Sequence, residues 1–157
     1  MDVALVNATE IVPEKTTTQA AIHALQSVLS TMPQQEMVGT EHLFANGIYC
    51  RKLTMPADCT VVGKEHKGEH FFILLEGEMT VTQQGMEPER IKAPRIYVSQ
   101  PGAKRALYTH TETTCLGIYR TDLVNVDEIE AELMVIDDTA LFDAHNELKA
   151  LPWSGQQ

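Results

Sequence analysis

The sequence predicts an all-β core, a jelly-roll barrel of two packed sheets, with one helix before it and one or two helices after it. Three observations predict this. Between residues 47 and 120, eight short β-rich runs alternate with turn residues. Ahead of them, residues 18–32 carry apolar side chains at helical spacing, and behind them residues 124–136 do the same. Eight short strands at this spacing suit a double-sheet jelly roll.

The first helix is justified by Thr16-Thr17-Thr18, which offers N-cap hydroxyls, and by Ala21, Leu25, Val28, Leu29 and Met32 on one face; Pro33 ends the pattern. Strands are expected at 47–54, 59–65, 69–76, 78–84, 89–92, 95–99, 104–110 and 113–120. Their punctuation is Asn46-Gly47, Pro56-Ala57-Asp58, Lys67-Gly68, Gly85 with Pro88, Pro94, Pro101-Gly102 and Thr111-Glu112. Glu76-Gly77-Glu78 reads as the tight turn of a hairpin, with Gly77 supplying positive φ. The run Phe71-Phe72-Ile73-Leu74-Leu75 is apolar on both faces. It is therefore expected to be covered twice, by the core and by either the 18–32 helix or a second subunit. After Asp122, Val126, Ile129, Leu133 and Ile136 stripe a second helix; a short third helix is expected at 139–149, and Trp153 reads as an anchor for the tail. The chain divides into an N-terminal arm and helix (1–41), a barrel (42–121) and an acidic helical segment (122–157), all in one compact domain.

At 157 residues the chain is long enough to bury a core of its own. Its net charge of −10 is uneven: residues 1–41 carry −4, residues 42–120 carry +2 and residues 121–157 carry −8. Acidic flanks repel a phosphate backbone, which argues against nucleic acid as a partner. No run approaches the eighteen or so apolar residues of a membrane span, and the acidic start Met1-Asp2 does not resemble a secretion signal, so a cytoplasmic protein is expected. Cys50, Cys59 and Cys115 sit in strand-like runs without Cys-x-x-Cys spacing and read as free buried thiols.

One stretch carries more than pattern. Gly63-Lys64-Glu65-His66-Lys67-Gly68-Glu69-His70 through Gly77 resembles the first signature motif of the cupins, which runs Gly, five residues, His-x-His, three or four residues, Glu, six residues, Gly. Counting back from Gly77 places His70 where the family has Glu, His66 at the second metal histidine and Lys64 at the first. The second cupin motif falls on Pro94, Gln100, Gly102, Arg105 and Thr109, with only Gly102 retained and Arg105 at the last metal histidine. The resemblance covers residues 42–121 and implies a cupin-type double-stranded β-helix that forms a homodimer. The chain also resembles small cupin-like proteins encoded in bacteriophage genomes, through Gly63-Lys64-Glu65-His66-Lys67, Pro101-Gly102-Ala103-Lys104-Arg105 and Thr121-Asp122-Leu123. That likeness implies a phage-encoded accessory protein in the host cytoplasm.

The resemblance thus fills four ligand slots with Lys64, His66, His70 and Arg105. Strand alternation turns Lys64 and His66 the same way, and on this alignment His70 and Arg105 join them around an apolar floor, with Tyr49 and Tyr108 near the rim. Two cations and two imidazoles suit a small anionic ligand: Arg offers a planar fork, Lys a point charge and His a titratable donor. No cofactor is needed for that role. The alternative is a divergent metal-dependent enzyme, a dioxygenase, isomerase or lyase, in which His66 and His70 hold iron, manganese or zinc. A metal-free variant would pair His66 or His70 as base with Tyr49 or Tyr108 as acid. A third reading is a structural or assembly protein with a vestigial pocket.

Overall fold

Residues 17–34, 39–147 and 149 are described by the structure, a computed structural model. Helix α1 (Gln19–Leu29) begins where Thr18 accepts a hydrogen bond from the Ala21 N–H at 3.1 Å. It stops short of residue 32, because the Ser30, Thr31 and Met32 amides close on earlier carbonyls in a final tightened turn. Trp153 lies outside the described residues.

Among the described residues nine strands follow: β1 (Gly39–Ala45), β2 (Ile48–Met55), β3 (Thr60–Val62), β4 (His70–Glu76), β5 (Glu78–Gln83), β6 (Glu89–Lys92), β7 (Arg95–Ser99), β8 (Arg105–Thr109) and β9 (Thr113–Arg120). Eight match the sequence expectation closely. The extra strand, β1, is an edge strand paired only with β2 and largely exposed, so its residues lack the alternation that announces a half-buried strand.

The strands form two antiparallel sheets, β1-β2-β9-β4-β7 and β3-β8-β5-β6. With β1 set aside, the order β2-β9-β4-β7 facing β3-β8-β5-β6 is the jelly-roll pattern, a long hairpin folded double. Phe72, Leu74, Met79, Val81, Leu107 and Cys115 meet between the sheets as the main core. The turn at Gly77 corrects the hairpin expectation: β4 and β5 belong to different sheets, so this turn switches sheets rather than pairing its neighbours. Gly77 sits at φ 91°, and a Cβ there would run into the Glu112 carbonyl and Thr113.

Helix α1 lies on the outer face of the β3-β8 pair, with Ile22 buried against Val62 and Ala106. It therefore does not cover the outer side of β4. There Phe71, Leu75, Ile96 and Val98 are exposed. Strand register aligns Leu43, Cys50, Ile118, Phe71 and Val98 in one row across all five strands.

The C-terminal segment carries α2 (Val126–Leu133), capped by the Asn125 side chain, with Ile129 buried. The short helix expected at 139–149 does not form among the described residues. The Asp143 carboxylate accepts the His145 and Glu147 N–H groups, both at 2.9 Å, and Asn146 takes φ 60°. That side chain offers the backbone a turn in competition with a helix. The result is an irregular strap, residues 137–147, running past one end of the barrel.

Candidate functional site

Three strands set the floor of the site. On β2, β9 and β4 the inward positions run Tyr49, Arg51, Leu53; Cys115, Gly117, Tyr119; and His70, Phe72, Leu74. Register places Arg51 and Phe72 on either side of Gly117, and Tyr49 beside Tyr119. Gly117 has no side chain, and the Tyr119 ring folds back into the space this leaves.

His66 stands just ahead of β4, held by a β-bridge to Met134 and by its N–H to the Ala103 carbonyl at 3.0 Å. Its Nδ1 lies 3.2 Å from the same carbonyl and must donate to it, which leaves Nε2 to accept the Tyr119 hydroxyl at 3.0 Å. The His66 and His70 rings stack at 4.1 Å between centroids, and Tyr119 stacks on His70 at 5.0 Å. Burial, then His70, Arg105 and Arg51, push the His66 pKa down to about 3, so the ring is neutral under ordinary conditions. Burial pushes the Tyr119 hydroxyl up to about 12 and the Cys115 thiol likewise to about 12.

Above this floor lies a cavity of about 130 Å³. Arg51, Lys64, His66, Arg105 and Tyr119 supply its polar lining; Leu53, Val61, Phe72, Leu107, Leu141 and Phe142 supply most of the apolar wall. Its volume suits a small molecule of roughly benzene's size. The three cations are not equivalent. Lys64 is neutralised by an ion pair with Glu130 of α2. Arg105 is buried, sits 4.7 Å over the Phe72 ring and donates to Ser99. Arg51 donates to the Tyr49 hydroxyl at 3.0 Å. Among the described residues neither arginine pairs with a carboxylate.

The sequence-based candidates separate accordingly. Lys64, His66 and Arg105 line the cavity. His70 does not: it borders a second, more open cavity of about 570 Å³, with Glu69, Phe71, Ile118, Arg120 and Asp122. The His66–His70–Tyr119 stack is thus a partition between two cavities. Tyr49 is fully buried behind Tyr119, its hydroxyl 2.7 Å from His42 Nδ1. Tyr108 points outward, where its hydroxyl donates to Asp58 at 2.9 Å, because it is the odd residue of the Arg105-Ala106-Leu107 alternation. Arg51, Tyr119 and Phe142 are the site residues missed from sequence. Alternation on β2 and β9 held the signal for the first two; nothing local held one for Phe142.

The residues do not fit the metal that the fold implies. Both His66 nitrogens are engaged, His70 Nδ1 donates to the Gly68 carbonyl at 3.0 Å, and the rings lie face to face instead of aiming at a common point. Arg105, which the motif resemblance puts at the last metal histidine, lines the same cavity as His66. The described residues hold no group of three or more His, Cys, Asp or Glu side chains able to hold a metal ion. Among the described residues no helix is long and apolar enough to cross a membrane.

No protein-family model matches the chain, and no curated protein matches its sequence. Solved structures do. Ectoine synthase from P. lautus is 15% identical, superposes with a TM-score of 0.52 and matches 68% of this chain and 83% of its own length. Salicylate 1,2-dioxygenase from Pseudaminobacter salicylatoxidans is 14% identical with a TM-score of 0.50, over 70% of this chain and 34% of the enzyme, so the chain spans about a third of that protein. A cupin-2 domain containing protein from Shewanella frigidimarina, 14% identical, matches 62% of this chain and 92% of its own at a TM-score of 0.44. At these identities the likeness is one of fold alone, carried by the two structures at TM-scores of 0.50 and 0.52, and it agrees with the strand order in showing a double-sheet jelly-roll barrel.

Proposed function

We propose that the barrel binds a small organic anion with an apolar body, and that Arg51 and Arg105 hold its charged end. The observation that carries this is Arg105: a buried guanidinium facing a cavity, with no carboxylate to balance it among the described residues. An unpaired buried cation is costly, and a carboxylate or phosphate between two guanidiniums would relieve that cost. Leu53, Phe72, Leu107 and Phe142 suit the apolar remainder. Lys64 is spent on Glu130 and plays a structural part.

The contact between His66 and Tyr119 brings a base and an acid together, yet their pKa values of about 3 and about 12 put both far from a working proton-transfer range. This favours binding over acid–base catalysis. Calorimetry with a panel of small carboxylates and phosphate monoesters tests the reading. At least one should bind, and Arg105→Met or Arg51→Met should weaken it at least tenfold. Binding unaltered in both variants, or no binding across the panel, overturns it.

The working unit is a homodimer joined through the outer face of the five-stranded sheet. Five strands at ~4.8 Å and seven residues at ~3.3 Å give a face of about 24 by 23 Å. Once side-chain relief is included, that is of the order of the ~800 Å² per partner of a standard interface. Its central row is apolar from edge to edge, so a second copy meets it with the same chemistry.

A further inference from the structure

The strap, residues 137–147, is held firmly at one end and loosely over the rest. At its root the Gln26 side chain donates to Asp137 at 3.0 Å and to Thr139 at 2.8 Å. Lys104, almost wholly buried, donates to Gln26 at 2.9 Å and to the Gly63 carbonyl at 2.8 Å, with its ammonium 3.8 Å from the Asp137 carboxylate. Helix α1, the barrel and the strap therefore meet at one polar junction.

Past Thr139 the character changes. Ala140, Leu141, Phe142 and Asn146 lie along the mouth of the cavity. Among the described residues the side-chain hydrogen bond that ties residues 140–147 to the barrel is a long one, 3.5 Å from Arg51 to the Ala144 carbonyl. The other polar contacts of this stretch among the described residues are internal, through Asp143, or reach adjoining chain, from the Ala140 N–H to the Asp137 carbonyl at 3.1 Å and from the Lys149 N–H to the Leu141 carbonyl at 2.9 Å, apart from one exposed contact of 3.6 Å between His145 Nε2 and Asp127 of α2. A segment with a strong polar root and a body held by apolar contact opens at the body first, as a local event that leaves the strands intact.

We propose that residues 140–147 are a hinged cover over the cavity, pivoting on the Asp137–Gln26–Lys104 junction, and that its opening sets how fast molecules exchange with the cavity. The root tethers the cover near the mouth, so it recloses in one register. Loosening the root should raise the open fraction without removing any cavity-lining group. This inference takes the cavity as a binding site, but its test needs no ligand, so the two can fail separately.

Cys115 supplies the readout, because it is buried and lines the cavity. The full chain is treated with methyl methanethiosulfonate at fixed pH and at several urea concentrations below unfolding, and modification of Cys115 is followed by peptide mass spectrometry. The expected result is a rate that hardly changes with low urea and rises at least fivefold in Gln26→Ala. Thr139→Val, which removes one hydrogen bond at the root, serves where Gln26→Ala folds poorly and should raise the rate at least threefold. Two results overturn the proposal: a Cys115 rate that follows urea as steeply as global unfolding does, or a rate within twofold of the original in the folded variants.

Discussion

Tyr119 lies over Gly117, two residues earlier on the same strand, so closely that a Cβ on Gly117 would stand 2.5 Å from the Tyr119 hydroxyl. The absent side chain is what lets the phenol reach His66. Gly117→Ala should push Tyr119 off His66 and cost roughly 1–3 kcal/mol, the usual penalty for overpacking a core. Urea unfolding measures the cost, and the shift of the Tyr119 ring resonances reports the lost contact. An alanine variant of unchanged stability would show that the ring has room elsewhere.

Acid should weaken the fold through His66. Its folded pKa of about 3 lies below the ordinary 6.5, so between these values the unfolded chain binds a proton that the folded chain does not. Stability is therefore full above about 6.5 and falls as pH drops towards about 3, by at most ~1.4 kcal/mol per unit. Denaturant midpoints measured from pH 8 to pH 4 should show this slope. His66→Gln should flatten it.

Arg105 should trade stability for binding. Its pKa is lowered by burial, with no carboxylate beside it among the described residues to offset the cost of its charge. Arg105→Met, similar in reach and uncharged, should raise the melting temperature of the ligand-free protein while abolishing anion binding. A fall in melting temperature together with retained binding would mean that the guanidinium holds up the core instead.

Lys64 and Glu130 should behave as a structural pair. Burial lowers the Lys64 pKa and Glu130 opposes that shift. Glu130 Oε2 is itself buried without a partner among the described residues, so removing Lys64 strands the whole carboxylate. Lys64→Met should cost roughly 1–2 kcal/mol after allowance for partial exposure, and adding Glu130→Leu should recover most of it. A double-mutant cycle by urea unfolding gives the coupling energy directly. Anion affinity should stay within a few-fold in the double variant.

The exposed row on β4 and β7 yields a test of assembly. Phe71→Glu with Val98→Glu places charge in the central apolar row of the outer sheet face, on β4 and the edge strand β7. Light scattering should find the original chain as a dimer and the variant as a monomer that melts cooperatively. A monomeric original chain would remove the dimer from the proposal.

The barrel was legible because its strands alternate and its turns are marked by Gly and Pro; β1 escaped because an exposed edge strand need not alternate. The site was half legible. The motif alignment picks out Lys64, His66 and Arg105, which line one cavity, since each falls on or beside a strand whose facing follows from period two. It does not register that Lys64 is neutralised, because the partner comes from α2, far along the chain. His70 was assigned to the cavity because the count of residues is blind to the stack that separates it from Phe72's side. Phe142 and the strap depend on Asp143 choosing a turn over a helix, a competition that apolar periodicity does not register.

The uneven distribution of charge has a kinetic consequence. Residues 121–157 carry −8, and Asp137, Asp138 and Asp143 line the groove beside the strap, whereas Arg51 and Arg105, which pair with no carboxylate among the described residues, look inward. On the anion-binding proposal, the ligand crosses a repelling rim to reach an attracting interior. Added salt screens both, so it should speed capture while shortening residence, the reverse of the slower capture that salt brings to a ligand steered by opposite charge.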